Sequence, residues 1–168
     1  WRWRSPDREV MARAPSVATY ANEATPLMVG GILYVSTSLS QVAAIDAVTG
    51  TTLWVHDPGV WSEGTPANHG WVHRGVAYWN DGRDERIFIG TGNAYLVALD
   101  ARTGNPIESF GTGGRVDLTS GLGRRVDRRW YSVTCGVISG NSHTWCRSGS
   151  GSLPESFAPQ RRHWVGRS

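Results

Sequence analysis

Side chains able to do chemistry are thinly spread along this sequence, and composition and spacing alone do not rank them; they include a carboxylate, Glu23, a guanidinium, Arg74, and a hydroxyl, Thr134. A guanidinium is always charged and presents a fixed fork of donors, which suits the oxygens of carboxylates. Thr134 adds a neutral donor. Glu23 can only accept, so beside an anionic ligand it needs a ligand N–H or Arg74 itself as partner. Each also has a structural reading: Glu23 as the close of a loop before Pro26, Arg74 as a surface residue at a strand end, Thr134 as one more β-former. His56, His69 and His73 suggest a metal or acid–base cluster, but their spacing matches no standard ligand pattern. In an extended strand His73 also points away from Arg74, so the three are read as structural. Cys135 and Cys146 have neither CxxC spacing nor a partnering His, and support neither a metal site nor a disulfide.

What must position these residues is a repeat. Ala44-Ile45-Asp46-Ala47-Val48-Thr49-Gly50 returns as Ala98-Leu99-Asp100-Ala101-Arg102-Thr103-Gly104, 54 residues later and without a gap. Residues 32–59 slide onto 86–113 so that Leu33 meets Ile87, Tyr34 meets Phe88, Val35 meets Ile89, Val42 meets Leu96 and Leu53 meets Ile107. A period of this size means stacked supersecondary units. Each unit reads as strand, loop, strand, tight turn, strand. In the first copy the strands are expected over 32–37, 42–46 and 51–56, and in the turn Asp46 accepts backbone N–H bonds while Gly50 takes positive φ. A repeat of roughly 54 residues allows about three units in 168 residues, whereas propellers typically close with about 4 to 8. Trp1-Arg2-Trp3-Arg4 already reads as the end of a strand, so the chain is expected to be a piece of a longer protein.

Composition narrows the function. The nine Trp suit the seams between repeats. All 17 basic residues are Arg, but a net charge of +3 is modest, and Arg, Gly, Ala and Val richness together point to GC-rich coding rather than to phosphate binding; nucleic acid is not an expected partner. No apolar run reaches the roughly 18 residues of a membrane span.

The first copy of the turn extends to Trp54, as Ala44-x-Asp46-x-x-Thr49-Gly50-x-x-x-Trp54, and resembles the tryptophan docking motif of the pyrroloquinoline quinone (PQQ) dehydrogenases. In that family the Trp packs flat between neighbouring blades. The second copy departs, with Glu108 at the Trp position and Phe110 two residues on. Three further segments carry the resemblance. Asn22-Glu23-Ala24-Thr25-Pro26-Leu27-Met28-Val29-Gly30 is similar to the opening of the first cofactor-facing blade in membrane-type glucose and polyol dehydrogenases, whose Glu sits at the edge of the quinone. Trp71-Val72-His73-Arg74-Gly75-Val76-Ala77-Tyr78-Trp79 resembles the strand whose Arg pairs with cofactor oxygens. Trp130-Tyr131-Ser132-Val133-Thr134 resembles the start of the next blade, where a Thr reaches a PQQ carboxylate.

The resemblance implies an all-β fold, a PQQ-type β-propeller with eight blades in the family, of which about two to three are present. It implies a quinoprotein that oxidises a sugar or polyol alcohol group and passes electrons to a quinone or cytochrome, in the periplasm, with a parent that can be anchored in the inner membrane. Glu23, Arg74 and Thr134 are the implied PQQ-binding residues. Ca2+ is the implied metal, but its ligands, the proton-abstracting Asp and the Trp stacked under the quinone belong to later blades, so the chain alone is expected to be inactive. Methanol-oxidising relatives carry adjacent cysteines six and five residues before the Arg; Asn68 and His69 stand there, which favours the glucose or polyol branch.

The resemblance covers 1–141, with blade repeats around 25–59 and 79–113 and a further blade starting at 130–141. Residues 142–168 are Ser-, Gly- and Arg-rich, show neither period 2 nor 3.6, and are expected to be a tail, either disordered or read in a shifted frame. Two other functions fit the repeats: a non-catalytic propeller scaffold for protein partners, like the outer-membrane assembly lipoproteins, and a secreted sugar-binding propeller. Glu23 and Arg74 separate them from the dehydrogenase, because a scaffold has no reason to carry that pair at those two positions.

Overall fold

The turn that the sequence spells twice folds twice in the same way. Asp46 Oδ1 accepts the backbone N–H of Val48 at 3.0 Å and of Thr49 at 2.7 Å, and the Thr49 hydroxyl at 2.9 Å. Asp100 Oδ1 does the same for Arg102 at 3.0 Å and Thr103 at 2.8 Å, with the Thr103 hydroxyl at 2.9 Å. Gly50 and Gly104 close the turns at φ +75° and +73°, each donating to the carbonyl of its Asp at 2.8 Å. The computed structural model of the chain describes residues 1–19, 22–66, 70–120, 122–123, 125–133, 138–140 and 143–145.

Around each turn stands a four-stranded antiparallel sheet. The first runs β1 (Leu27–Val29), β2 (Ile32–Ser36), β3 (Val42–Asp46) and β4 (Thr52–His56); the second runs β5 (Ala77–Asn80), β6 (Glu85–Gly90), β7 (Tyr95–Asp100) and β8 (Arg115–Asp117). Leu33 pairs with Ile45 and Tyr34 with Ala44 in the first sheet, as Ile87 pairs with Leu99 and Phe88 with Ala98 in the second, so the sequence repeat is also a repeat of register. A hairpin of β9 (Ile138–Gly140) and β10 (His143–Trp145) follows, with β9 beside β5. These are blades of a β-propeller. Strand β10 lies in the stretch read as patternless, and residues 146–168 lie outside the described residues.

Alternation along the strands builds the seam. Tyr34, Val42 and Ala44 face one way from the first sheet and meet Ile87, Ile89, Val97 and Leu99, which face back from the second, in one buried cluster. The opposite face of the second sheet buries Ala77, Phe88, Leu96 and Ala98 under Ile107, Phe110 and Val116. Trp54 on β4 lies over the second turn, its indole N–H donating to Ala101 O at 3.1 Å. A Cβ on Gly104 would lie 2.5 Å from that ring, so only glycine fits beneath it. Trp1 repeats the arrangement on the first turn, donating to Ala47 O at 3.2 Å over Gly50.

Three features depart from the sequence reading. The repeat places an outer strand of the second unit over 105–110, but Pro106 makes only an isolated bridge to Leu99 and the chain turns before forming β8. Proline has no N–H to continue a ladder. With Glu108 in the Trp position, Phe110 turns inward onto Phe88 at 5.4 Å between ring centroids and stays within its own blade. The innermost strand β1 and the helix α1 (Asp7–Arg13) are additions to the three-strand unit, and β5 begins only at Ala77, near the end of the 71–79 segment whose resemblance implied a strand. The helix sends Asp7 into the β2–β3 loop, where its carboxylate accepts from the Thr37 hydroxyl at 2.6 Å, Gln41 Nε2 at 3.1 Å and Leu39 N–H at 3.4 Å. Burial raises the pKa of Asp7 despite these bonds.

Candidate functional site

The segments that lead into β1 and β5 meet at the inner end of the seam between the two sheets. Thr25 and Gly75 form a parallel bridge, and Thr25 N–H donates to Arg74 O at 3.3 Å. Gly75 sits at φ +137°, where a Cβ would lie 3.2 Å from Thr25 O, so the approach of the two backbones needs a glycine. Asn22 Oδ1 accepts the N–H of Ala24 at 3.0 Å and bends the chain around Glu23. The result is an ion pair between residues 51 positions apart, Arg74 Nη2 to Glu23 Oε2 at 3.2 Å.

The pair is open to solvent, with 59% of the Arg74 side chain and 46% of the Glu23 side chain exposed. An exposed pair of this kind contributes about 0–1 kcal/mol to stability. Its value is geometric. Among the described residues one donor of the Arg74 fork is engaged by Glu23, which leaves a cationic, multi-donor surface beside the seam. Of the two partners that Glu23 was expected to need, Arg74 is the one it has.

Behind the pair lies His73, 1% exposed. Its Nε2 is 2.6 Å from Gly90 O on β6 and its Nδ1 is 2.8 Å from Ser36 Oγ on β2. A carbonyl can only accept, so Nε2 carries the proton and Nδ1 accepts from the Ser36 hydroxyl and, at 3.3 Å, from Gly75 N–H. Burial pushes the imidazole down to about 4, with the Gly90 carbonyl opposing the shift, so the ring is neutral near pH 7. His56 lies on β4 with its pKa also lowered by burial, and His69 lies outside the described residues. No group of three His, Cys, Asp or Glu among the described residues is placed to hold a metal.

Thr134, Asn68, Cys135 and Cys146 lie outside the described residues. Ser132 and Val133, immediately before Thr134, are buried, and Val133 N–H donates to Thr91 O at 3.3 Å. Sequence reasoning missed the clamp that leads there. Arg128 donates to Asn93 O at 3.1 Å and to Asp117, and lies 4.5 Å over the Tyr95 ring. Nor did it identify Ser36 and Gly90 as the partners of His73, since a serine ending one strand and a glycine ending another carry no sequence signal.

Residues 1–143 match the family model described as PQQ glucose/ethanol/alcohol dehydrogenase, β-propeller domain. The chain is 44% identical over 114 residues to the dehydrogenase subunit of the quinone alcohol dehydrogenase of Acetobacter aceti, covering 66% of this chain and 14% of that protein. It is 36% identical over 114 residues to the glycerol dehydrogenase large subunit of Gluconobacter oxydans, covering 64% and 15%. The crystal structure of quinohemoprotein alcohol dehydrogenase from Comamonas testosteroni superposes with a TM-score of 0.64 at 30% identity, over 79% of this chain and 18% of that one. The chain thus spans about a seventh of the length of these curated relatives.

Proposed function

The chain belongs to the PQQ glucose/ethanol/alcohol dehydrogenase β-propeller family, and from that premise we propose that it forms the Glu23–Arg74 side of a PQQ site in a dehydrogenase acting on CH–OH groups. The observation that carries the reading is the ion pair at the inner seam, 3.2 Å long, with the rest of the Arg74 fork turned to solvent. PQQ, a planar tricarboxylate with an ortho-quinone, supplies the two-electron acceptor. Arg74 provides charge-assisted donors for its oxygens, and Glu23 fixes the direction of the guanidinium. Thr134 is proposed as a further donor. Ca2+ is proposed to be held by residues of later blades.

The proposed substrate is an alcohol or polyol, with a sugar hydroxyl in the same chemical class. Names of relatives support this range: one is a quinone alcohol dehydrogenase and another a glycerol dehydrogenase. The absence of adjacent cysteines at Asn68 and His69 is the reason to favour the polyol side. Electrons are proposed to leave to a quinone or cytochrome, from a periplasmic parent that can be membrane-anchored. A scaffold propeller gives no account of a solvent-facing carboxylate–guanidinium pair at these two positions.

The test is a titration of the chain with PQQ and Ca2+, followed by cofactor absorbance. Saturable binding that Arg74→Ala abolishes and Arg74→Lys weakens is expected, since lysine keeps the charge but not the fork. Neither change should alter folding, because the pair is exposed. Equal binding by the wild-type chain and Arg74→Ala would remove Arg74 from the site. Turnover by the chain alone is not expected.

A further inference from the structure

We propose that His73 is a positioning residue, a neutral imidazole wedged between the two sheets that holds Arg74 against Glu23. The claim deepens the cofactor reading and rests on it for relevance to PQQ; the positioning itself rests on geometry alone. Three consecutive residues are pinned at one place. His73 is held through its ring by Ser36 of the first sheet and Gly90 of the second. Arg74 is held by its carbonyl to Thr25, and Gly75 by its N–H to the His73 ring and by its bridge to Thr25. The His73 ring is buried and the Arg74 side chain next to it is 59% exposed, so the ring fixes the backbone from which Arg74 projects.

The Glu23 carboxylate belongs to the lead-in of the first sheet and Arg74 to that of the second. Their 3.2 Å approach therefore depends on how the sheets are set against each other at this end of the seam. Apart from the Tyr34 phenol, which bonds Ala101 O at the outer end, the cluster of Val42, Ile87 and Leu99 is held by contacts with no preferred direction, which do not by themselves fix the inner end. The two hydrogen bonds of His73 are directional and buried, and breaking them leaves a carbonyl and a hydroxyl without partners in the interior. An aliphatic or phenyl side chain fills the same space without fixing the register.

The test reads the carboxylate 13C resonance of Glu23 in the chain without cofactor. Arg74→Gln defines the resonance of the unpaired carboxylate. His73→Phe, which keeps a planar ring at the site and loses both bonds, is expected to move Glu23 to that unpaired position. His73→Gln, whose Nε2–H can still donate to Gly90 O, is expected to return it to the wild-type position. Ser36→Ala removes one of the two bonds, so Glu23 should move part of the way, and this variant decides the matter should His73→Phe fail to fold. A folded His73→Phe, or Ser36→Ala, with Glu23 at its wild-type resonance overturns the proposal. PQQ titration of the same variants separates the two readings. Loss of the pair in His73→Phe with PQQ binding unchanged keeps the positioning role and refutes the cofactor role of the pair. Parallel loss of both, restored by His73→Gln, supports the two together.

Discussion

Gly104→Ala should reveal how much the second blade depends on Trp54. Two costs are added by the methyl group. The first is conformational: φ +73° is the left-handed region, where a residue with a Cβ loses about 1 kcal/mol or somewhat more. The second is steric, because the Cβ would lie 2.5 Å from Trp54 Cε3 and 2.6 Å from Cδ2. The ring must move by about an ångström to restore ordinary contact. That displacement breaks the indole N–H bond to Ala101 O, about 1 kcal/mol, and loosens packing against Tyr34, whose ring centroid is 6.0 Å away. Complete removal of a buried Trp costs about 3–5 kcal/mol, and this one is partly buried, so the displacement is set at about 2 kcal/mol and the whole substitution at about 3. Gly59 supplies the control: its φ is +72° and nothing lies within 4 Å of an added Cβ, so Gly59→Ala pays the conformational cost alone. Urea unfolding followed by circular dichroism measures both. In a Trp54→Ala background Gly104→Ala should fall to the Gly59→Ala value, a coupling of about 2 kcal/mol. Gly50→Ala should lie between the two, since Trp1 above it is 64% exposed. Equal costs for Gly104→Ala and Gly59→Ala in the wild-type background, within about 0.5 kcal/mol, would refute the docking argument.

Acid should destabilise the fold in a window set chiefly by His73, with His56, whose pKa burial also lowers, adding in the same sense. The unfolded imidazole takes a proton near pH 6.5 and the folded one only near 4, so the unfolded state binds more protons between these values and stability falls as pH drops through them. The shift corresponds to about 3 kcal/mol in total. Asp46 and Asp81, whose carboxyls are held low chiefly by hydrogen bonds, and Asp117, where burial raises the pKa but the bonds from Thr119 and Arg128 together outweigh it, add a further loss below about pH 4, while Asp7, raised by burial, acts in the opposite sense. Urea midpoints at pH 7, 5.5 and 4 should show the decline, and His73→Gln should flatten its upper part; an unchanged slope in that variant refutes the assignment. Self-association is the other expectation. Met28, Leu53 and Val55 are 65%, 50% and 42% exposed, and β4 and β8 end their sheets, so sedimentation should be concentration-dependent and Leu53→Lys should reduce it. A single monomeric species at every concentration would count against this.

How far the sequence disclosed the fold differs from element to element. Where bonding is local the reading was nearly complete: the Asp46 and Asp100 turns are held by their own residues, and an ungapped offset between them carries the register of the strands on either side. Where a single residue breaks the period, the period misled, as at Pro106. The helix α1 was missed because it has seven residues and buries only Asp7 and Val10, too few to mark a helical face. Strand β1 has three residues, too short for alternation to register. At the site, Glu23 and Arg74 were legible only through family resemblance. Nothing in their spacing brings them together; a bridge between Thr25 and Gly75 does, and a contact across a seam leaves no periodic trace.

The seam joins its two blades with a different kind of bond at each end. At the outer end Trp54 and Tyr34 both donate to Ala101 O, at 3.1 Å each, so two rings from the first sheet converge on one carbonyl of the second turn. At the inner end His73 donates to Gly90 O and accepts from Ser36, so one ring from the second unit reaches both sheets. Between them lies an apolar cluster that resists separation but not sliding. A seam held only by that cluster would let the inner ends shift by the fraction of an ångström that separates a hydrogen-bonded ion pair from a solvent-separated one. The directional bonds therefore matter most where two side chains from different blades must meet a third body. That is the end where Glu23 and Arg74 stand, and it explains why a histidine is buried there at the cost of depressing its pKa, while the outer end is served by indole and phenol groups that stay neutral throughout the physiological range.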